Sequence, residues 1–407
     1  MESTKANIEI KSQELESPKL AFCIFKYFPY GGIQRDFLKI ARQLLKLGSQ
    51  IRVYTLAWVG DVPCNFDLVL VPVYAITRHN LYRRYSEWVR NDLAKNPVDA
   101  VVGINKIPEL DIYYAGDSCF EEIAQNQRGK FYRLLPRYRH FSKYEKAVFG
   151  RESKTEILMI SEYQKIFFEK YYKTSSERMH FLPPGISEDK FPPNNVELLR
   201  LNFRKELNIR PEEKLLLFVG SGFKKKGLAR ALKAFRSLNR DIRRETKFLV
   251  VGQDKPIYFR ILSFFLFISK RVSFLGGKTN VSDFLFAADL LILPALDENT
   301  GTVILEAIVS GTPVLTTENC GYSNYVVESG MGHVVSLPFK QNALNRSLEM
   351  LLENVDKEDW LEKSKGFLNQ IDITSLHRKA ANIIHGFAVK KLARNVTKSE
   401  SFGADHE

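Results

Sequence analysis

Two rhythms of apolar and polar residues alternate along this chain. Short, mainly apolar segments at 20–25, 51–55, 100–104, 156–160, 214–220 and 247–252, and the continuous apolar run Leu290–Leu293, have the pattern of buried parallel strands. Between them lie segments with helical spacing. Ile33, Phe37, Ile40, Leu44 and Leu47 share one face, and 161–172, 198–207 and 228–238 read as helices too. Strand, loop, helix, strand, used twice over, predicts an α/β chain of two Rossmann-like doubly wound domains. The run His180-Phe-Leu-Pro-Pro-Gly-Ile186 breaks the rhythm and marks a linker between them. The expected boundaries are a disordered extension 1–18, a first domain 19–184, a second 185–372, a terminal helix 373–394 and a disordered tail 395–407.

The loops after these strands carry the candidate chemistry, because open α/β sheets hold ligands at strand C-termini. Gly31 and Gly32 follow the first strand, though not as G-x-G-x-x-G, so a dinucleotide reading is weak. Asp117 stands where the run before it meets a loop; it can bond a sugar hydroxyl or cap the next helix. In the second half, Gly220-Ser-Gly-Phe-Lys-Lys225-Lys226-Gly227 sets lysines between a strand and a helix, where they can neutralise a diphosphate. A further loop at Gly276-Gly-Lys-Thr-Asn280 also follows a strand. The chain is organised around the stretch from Asp289 through Pro294, Asp297, Glu298, Asn299, Thr300, Gly301 and Thr302 to Glu306, closed by Gly311-Thr-Pro313. Here an apolar strand stops at proline, an acidic loop follows, and a helix begins whose free N–H groups suit an anion.

Two segments stand apart. At helical spacing Phe131, Leu134, Leu135, Tyr138, Phe141 and Val148 make one apolar stripe, flanked by Lys130, Arg133, Arg137, Arg139 and Lys143. That suits an anionic membrane surface, an RNA whose bases stack on aromatics, or a core-packed helix with solvated cations. Residues 257–274 are unusually apolar yet too short and interrupted to span a bilayer. They read as a buried helix plus strand, with a second interfacial contact or a dimer patch as the other reading.

The 407 residues suit two domains, each with a large core, and the formal charge of +13 calls for a polyanionic partner. Four scattered cysteines without C-x-x-C fit reduced thiols, and the histidines lack metal-ligand spacing, so neither metal nor cofactor is expected. The first residues lack the apolar core of a signal peptide, so a cytoplasmic protein is expected.

The stretch 289–315 resembles the donor-binding motif of retaining glycosyltransferase family 4, whose fold is GT-B, two such domains facing across a cleft. Longer segments are similar to the lipopolysaccharide core glucosyltransferase I family: residues 21–37, Val102-Gly-Ile-Asn-Lys106, Tyr132-Arg-Leu-x-x-Arg-Tyr-Arg-His140, Leu182-Pro-Pro-Gly-Ile186, Val250-Val-Gly-Gln-Asp-Lys-Pro256 and Leu315-Thr-Thr-x-x-Cys-Gly-Tyr322. The resemblance implies transfer of a hexose, with retention and without a metal, from a UDP-sugar, UDP-glucose in that family. The acceptor implied is the inner-core heptose of lipopolysaccharide at the inner membrane's cytoplasmic face; nucleic acid is not an expected partner. It implies that Gly32 and Asp36 line the donor cleft, that Asp117 lies near the transferred sugar, and that Lys225 and Lys226 meet the diphosphate. Glu298 would contact the sugar hydroxyls, Glu306 the ribose hydroxyls, and 120–149 the membrane. The terminal helix would cross back onto the first domain. Lys225 and Lys190 stand where that family has arginine, and Asn299-Thr300 replaces two small apolar residues. Alternatives are a same-fold transferase with another donor or a soluble acceptor, a UDP-sugar epimerase, and a non-catalytic basic adaptor.

Overall fold

The computed structural model describes residues 17–403 apart from 30, 127 and 356, with side chains described as far as Arg394. The expected extension 1–18 therefore lies almost wholly outside the described residues, as do 404–407. The chain forms two compact units. One gathers the described parts of Met1–Tyr114, Phe131–Leu158 and His377–Glu407; the other comprises Ala115–Lys130 and Met159–Leu376.

In the first unit, strands Phe66–Leu70, Gln50–Thr55, Lys19–Cys23, Ala100–Gly103, Ile112–Ala115 and Glu156–Met159 lie side by side in that order. The first four neighbouring pairs are parallel, with Leu20 opposite both Ile51 and Ala100. The helix Gly32–Lys46 buries Phe37, Ile40, Ala41 and Leu44, the face its spacing predicts. An 18-residue helix, Arg78–Lys95, has no counterpart in the sequence reading, because only Tyr85 and Val89 are buried on it. The last helix, Leu376–Gly403, continues beyond Arg394, where the expectation ended it. Three of its side chains hold the first unit: His377 meets Asp36 at 2.9 Å, His385 meets Ser49 at 3.0 Å, and Lys391 meets Asp111 at 2.7 Å.

In the second unit, Val272–Gly276, Thr246–Val251, Lys214–Val219, Leu290–Leu293, Val314–Thr317 and Gly332–Val335 form a sheet in that order, every neighbouring pair parallel. Leu215–Phe218 and Leu290–Leu293 are fully buried, as strands covered on both faces must be. Chain order reverses between Lys214–Val219 and Leu290–Leu293, so the connections diverge and leave a crevice at their C-terminal ends. The start of that strand is closed by charge. Asp289, buried, takes Arg200 at 2.5 Å, Arg204 at 3.1 Å and the Leu215 N–H at 2.7 Å. Burial pushes its carboxyl up, but the two guanidiniums and that N–H outweigh it and hold it below the usual range.

Two expectations change. The segment after Pro256 is indeed a helix, Ile257–Phe265, then a strand, but it is not a buried helix: Phe259 and Ser263 face the core while the opposite apolar face is exposed. The 131–148 stripe is divided. Phe131, Leu134 and Leu135 are exposed, whereas Tyr144, Val148 and Phe149 are core, and buried Glu145 pairs with Lys106 at 2.5 Å. Pro136 opens the helix Pro136–Phe149 rather than kinking it. No helix among the described residues is long and apolar enough to cross a membrane.

Candidate active site

The crevice of the second unit is built by two loops. The first follows Lys214–Val219. Gly220 has φ of 132°, and a Cβ there would come within 2.6 Å of Lys226 Cδ and Cε, so the missing side chain is what clears a path for the lysine. Gly227, φ 78°, lies so close to the neighbouring strand's end that a Cβ would sit 1.9 Å from the Pro294 oxygen. The helix Leu228–Ser237 is thereby pressed onto that end, and the Leu296 N–H donates to the Lys225 carbonyl at 2.8 Å.

The second loop follows Leu290–Leu293 and is clamped from both sides. The Gly321 N–H donates to the Glu298 carbonyl at 3.0 Å, the Tyr322 N–H donates to that of Thr300 at 2.8 Å, and the Asn319 amide donates to that of Leu296. Arg230 donates to the Ala295 carbonyl at 2.9 Å. With the backbone fixed, the side chains meet the lysines in register. Lys226 Nζ lies 2.5 Å from Glu298 Oε2, both largely buried; Lys225 Nζ lies 3.1 Å from Asp297 Oδ2, with the lysine half exposed.

Asp117 is brought to the same loop through its neighbours. Ser118 Oγ donates to Asp297 Oδ1 at 3.2 Å, and the Asn299 amide donates to the Gly116 carbonyl at 2.7 Å and that of Ala115 at 3.3 Å. Asp117, pinned between these points, is itself exposed. Gly301 then starts the helix Thr302–Val309; its first turn opens at this loop, and Glu306 lies one turn further on, half-buried. Cys320, beneath the loop, is fully buried, which pushes its thiol up and leaves it inert.

Of the residues singled out from sequence, Asp117, Lys225, Lys226, Glu298, Asn299, Thr300, Gly301 and Thr302 thus cluster around one loop. Lys190 reaches Ser282 at 3.3 Å and Asp189 at 3.1 Å, and Asn280 donates to Asp283 at 2.8 Å. Gly31, Gly32 and Asp36 belong to the first unit. Gly31 caps the helix Gly32–Lys46, and both oxygens of Asp36 are engaged, one by the Tyr114 hydroxyl at 2.8 Å and the other by His377. The sequence reading did not single out Ser118, Asp297 and Arg230 as site residues, and the structure adds them to this cluster. The first two adjoin chosen residues, and Arg230 lies one helical turn after Lys226, which is the signal that could have found them. Among the described residues no three His, Cys, Asp or Glu side chains are grouped to hold a metal ion.

A strand-order reversal whose loops converge lysines and carboxylates at a helix start is suited to holding an anionic ligand. Residues 200–365 match the family of glycosyl transferases group 1. Over 368 residues the chain is 42% identical to lipopolysaccharide glucosyltransferase WaaG of Escherichia coli (strain K12), a match spanning 90% of this chain and 98% of that one. The crystal structure of WaaG superposes with a TM-score of 0.84, covering 90% of this chain and 99% of that one. The chain therefore belongs to the lipopolysaccharide core glucosyltransferase family of group 1 glycosyltransferases and has its GT-B fold. The crystal structure of Anabaena Alr3699/HepE in complex with UDP-glucose shares the fold at 15% identity, with a TM-score of 0.67 over 91% of this chain and all of that one.

Proposed function

We propose that this enzyme transfers a hexose, glucose from UDP-glucose, onto the inner-core heptose of lipopolysaccharide, with retention at C1 and without a metal, at the cytoplasmic face of the inner membrane. The observation that carries this reading is the double register of Lys225 on Asp297 and Lys226 on Glu298 at the end of the Leu290–Leu293 strand. Each lysine is held next to the position a donor diphosphate would take, and each carboxylate is left with polar capacity for a sugar.

In the reaction the bond from C1 to the β-phosphate oxygen breaks and its electron pair passes to that oxygen. Lys225, Lys226 and the amides of the first turn from Gly301 stabilise the growing charge, the role a divalent cation fills elsewhere. Glu298 orients the sugar hydroxyls, Glu306 the ribose, and Asp117 steadies positive charge on the ring or positions it. The acceptor hydroxyl attacks C1 from the side the phosphate leaves, and the departing phosphate oxygen takes its proton. The Asn299 NH2 group is spent on the Gly116 and Ala115 carbonyls and fixes the floor of the sugar site, while its Oδ1 is buried without a partner and stays available to a sugar hydroxyl. Lys190 and Asn280 of the second unit, and Gly31, Gly32 and Asp36 of the first, are assigned to donor binding in this reading.

Membrane contact in this reading falls to Phe131, Leu134 and Leu135 with Lys130, Arg133, Arg137 and Arg139, all exposed. Tyr138 and Lys143 flank them. Apolar tips among cations fit an anionic headgroup layer.

The test is a panel of radiolabelled UDP-sugars offered with heptosylated core lipid A, with EDTA present. Label from UDP-glucose entering the lipid fraction as an α-linked product is the expected result. Label entering from another UDP-sugar only, or a requirement for added metal, overturns the corresponding part.

A further inference from the structure

The helix Ile257–Phe265 inverts the usual arrangement of a surface helix. Its inner face, Phe259, Leu262, Ser263 and Leu266, packs on the second unit's core, yet its outer face is apolar as well. Ile257, Tyr258, Ile261, Phe264, Phe265 and Phe267 are all exposed. Isolated apolar residues on a surface need no explanation, but six within eleven consecutive positions make a contiguous patch, which marks an interaction site.

Phe267 adds an independent sign. Its φ is 57°, the left-handed region in which a helix terminus normally places glycine, and its ring is 86% exposed. The backbone bears a conformational cost of about 1 kcal/mol to hold an aromatic ring where nothing among the described residues covers it.

Charge identifies the occupant. From Lys255 to Ser282 there is no acidic residue, while Lys255, Arg260, Lys270, Arg271 and Lys278 are cationic. Arg271 is engaged by Glu213 at 2.8 Å; Lys255, Arg260, Lys270 and Lys278 are exposed, Arg260 on the helix itself and Lys270 on the turn directly after it. The neighbouring helix Leu228–Ser237 brings exposed Lys233 and Arg236 and no acid. A second copy of the chain would meet this patch through its own image, setting cation against cation. An anionic bilayer surface complements it, with aromatic rings at headgroup depth and the lysines and arginines at the phosphates. Beside the helix a shallow groove of about 390 Å³, with Arg260, Ser263 and Phe264 among its lining, is open to a headgroup.

We propose that Ile257–Phe267 is a second, interfacial membrane contact, carried by the second unit and distinct from the Phe131–Arg139 contact. The full chain would be sedimented with sucrose-loaded vesicles of phosphatidylcholine containing 30% phosphatidylglycerol, and with pure phosphatidylcholine. The triple variant Tyr258→Ser, Phe265→Ser, Phe267→Ser changes only exposed side chains. Its partitioning onto anionic vesicles should fall at least roughly tenfold, with circular dichroism and UDP-glucose affinity unchanged. Arg260→Gln with Lys270→Gln should lower it by roughly fivefold per residue on anionic vesicles and hardly at all on neutral ones. A parallel Phe131→Ser, Leu134→Ser variant keeps the two contacts separable: loss there alone, with the triple variant within twofold of wild type, overturns this proposal and leaves the first contact standing. A dimer abolished by the triple variant while vesicle binding persists would equally overturn it.

Discussion

The two ends of the Leu290–Leu293 strand use opposite charges in opposite ways. At its start Asp289 is buried and saturated: two guanidiniums and a backbone N–H claim its oxygens. At its end Asp297 and Glu298 each meet one flexible lysine, on a backbone fixed by Gly227, Asn319 and Gly321. Arginine's planar fork makes a closed joint; lysine's single ammonium makes a contact that a ligand can take over. The same carboxylate chemistry therefore closes the strand at one end and, in the proposed function, is exchanged for a ligand at the other. The comparison extends to the first unit, where Asp36 follows a glycine loop yet is closed by Tyr114 and His377. Topology supplies a ligand-shaped strand end in both sheets; side-chain pairing decides how each is used.

Breaking the exchangeable end should have the largest effect. Lys226→Ala should lower UDP-sugar turnover about 10³-fold, about 4 kcal/mol of transition-state stabilisation, with the thermal midpoint within a few degrees of wild type. Steady-state kinetics beside a melting curve check both halves. Breaking the closed end should reverse the pattern. Asp289→Asn leaves Arg200 and Arg204 partly uncompensated and should destabilise the chain by about 3 kcal/mol in denaturant titrations, with donor affinity of the folded protein unchanged. Asn299→Ala removes two of the bonds that tie the 115–118 segment to the acidic loop, leaving that of Ser118, and should reduce turnover about tenfold through mispositioning of Asp117, more in kcat than in KM.

The smallest effect concerns Glu213, at the start of the neighbouring strand. Burial works against its carboxylate, but the Arg210 N–H and guanidinium, Arg271 and Lys247 bring it down to about 2 from an ordinary 4.5. A depressed carboxylate stabilises the fold above its unfolded value. That contribution should fade as pH falls from about 4.5 through about 2, and Glu213→Gln should remove this part of the pH dependence of the denaturant midpoint.

Much of this architecture is legible in the sequence because apolar runs and glycines encode it locally. Leu290–Leu293 is read to the residue, and Gly301 and Gly311 bracket the helix Thr302–Val309 as their positions predict. The helix Arg78–Lys95 escapes notice because two buried residues in eighteen leave no periodic signal. Residues 257–267 mislead for the converse reason: an apolar run reads as core whether or not the fold has room to cover it. The 131–148 stripe merges an exposed tip with a buried base, since periodicity gives a direction but not a depth. Contacts such as Asn299 to Gly116 and Ser118 to Asp297 join residues about 180 positions apart, and nothing local announces them.

In the proposed reaction Lys226 leaves Glu298 for the donor diphosphate, and calorimetric titration with UDP probes that exchange directly. Lys226→Ala should weaken UDP binding by at least roughly thirtyfold, the loss of a charge-assisted contact. Glu298→Gln, which releases the lysine, should bind UDP as well as wild type or more tightly while failing to turn over UDP-glucose. Equal weakening by both substitutions, or by neither, would contradict the exchange.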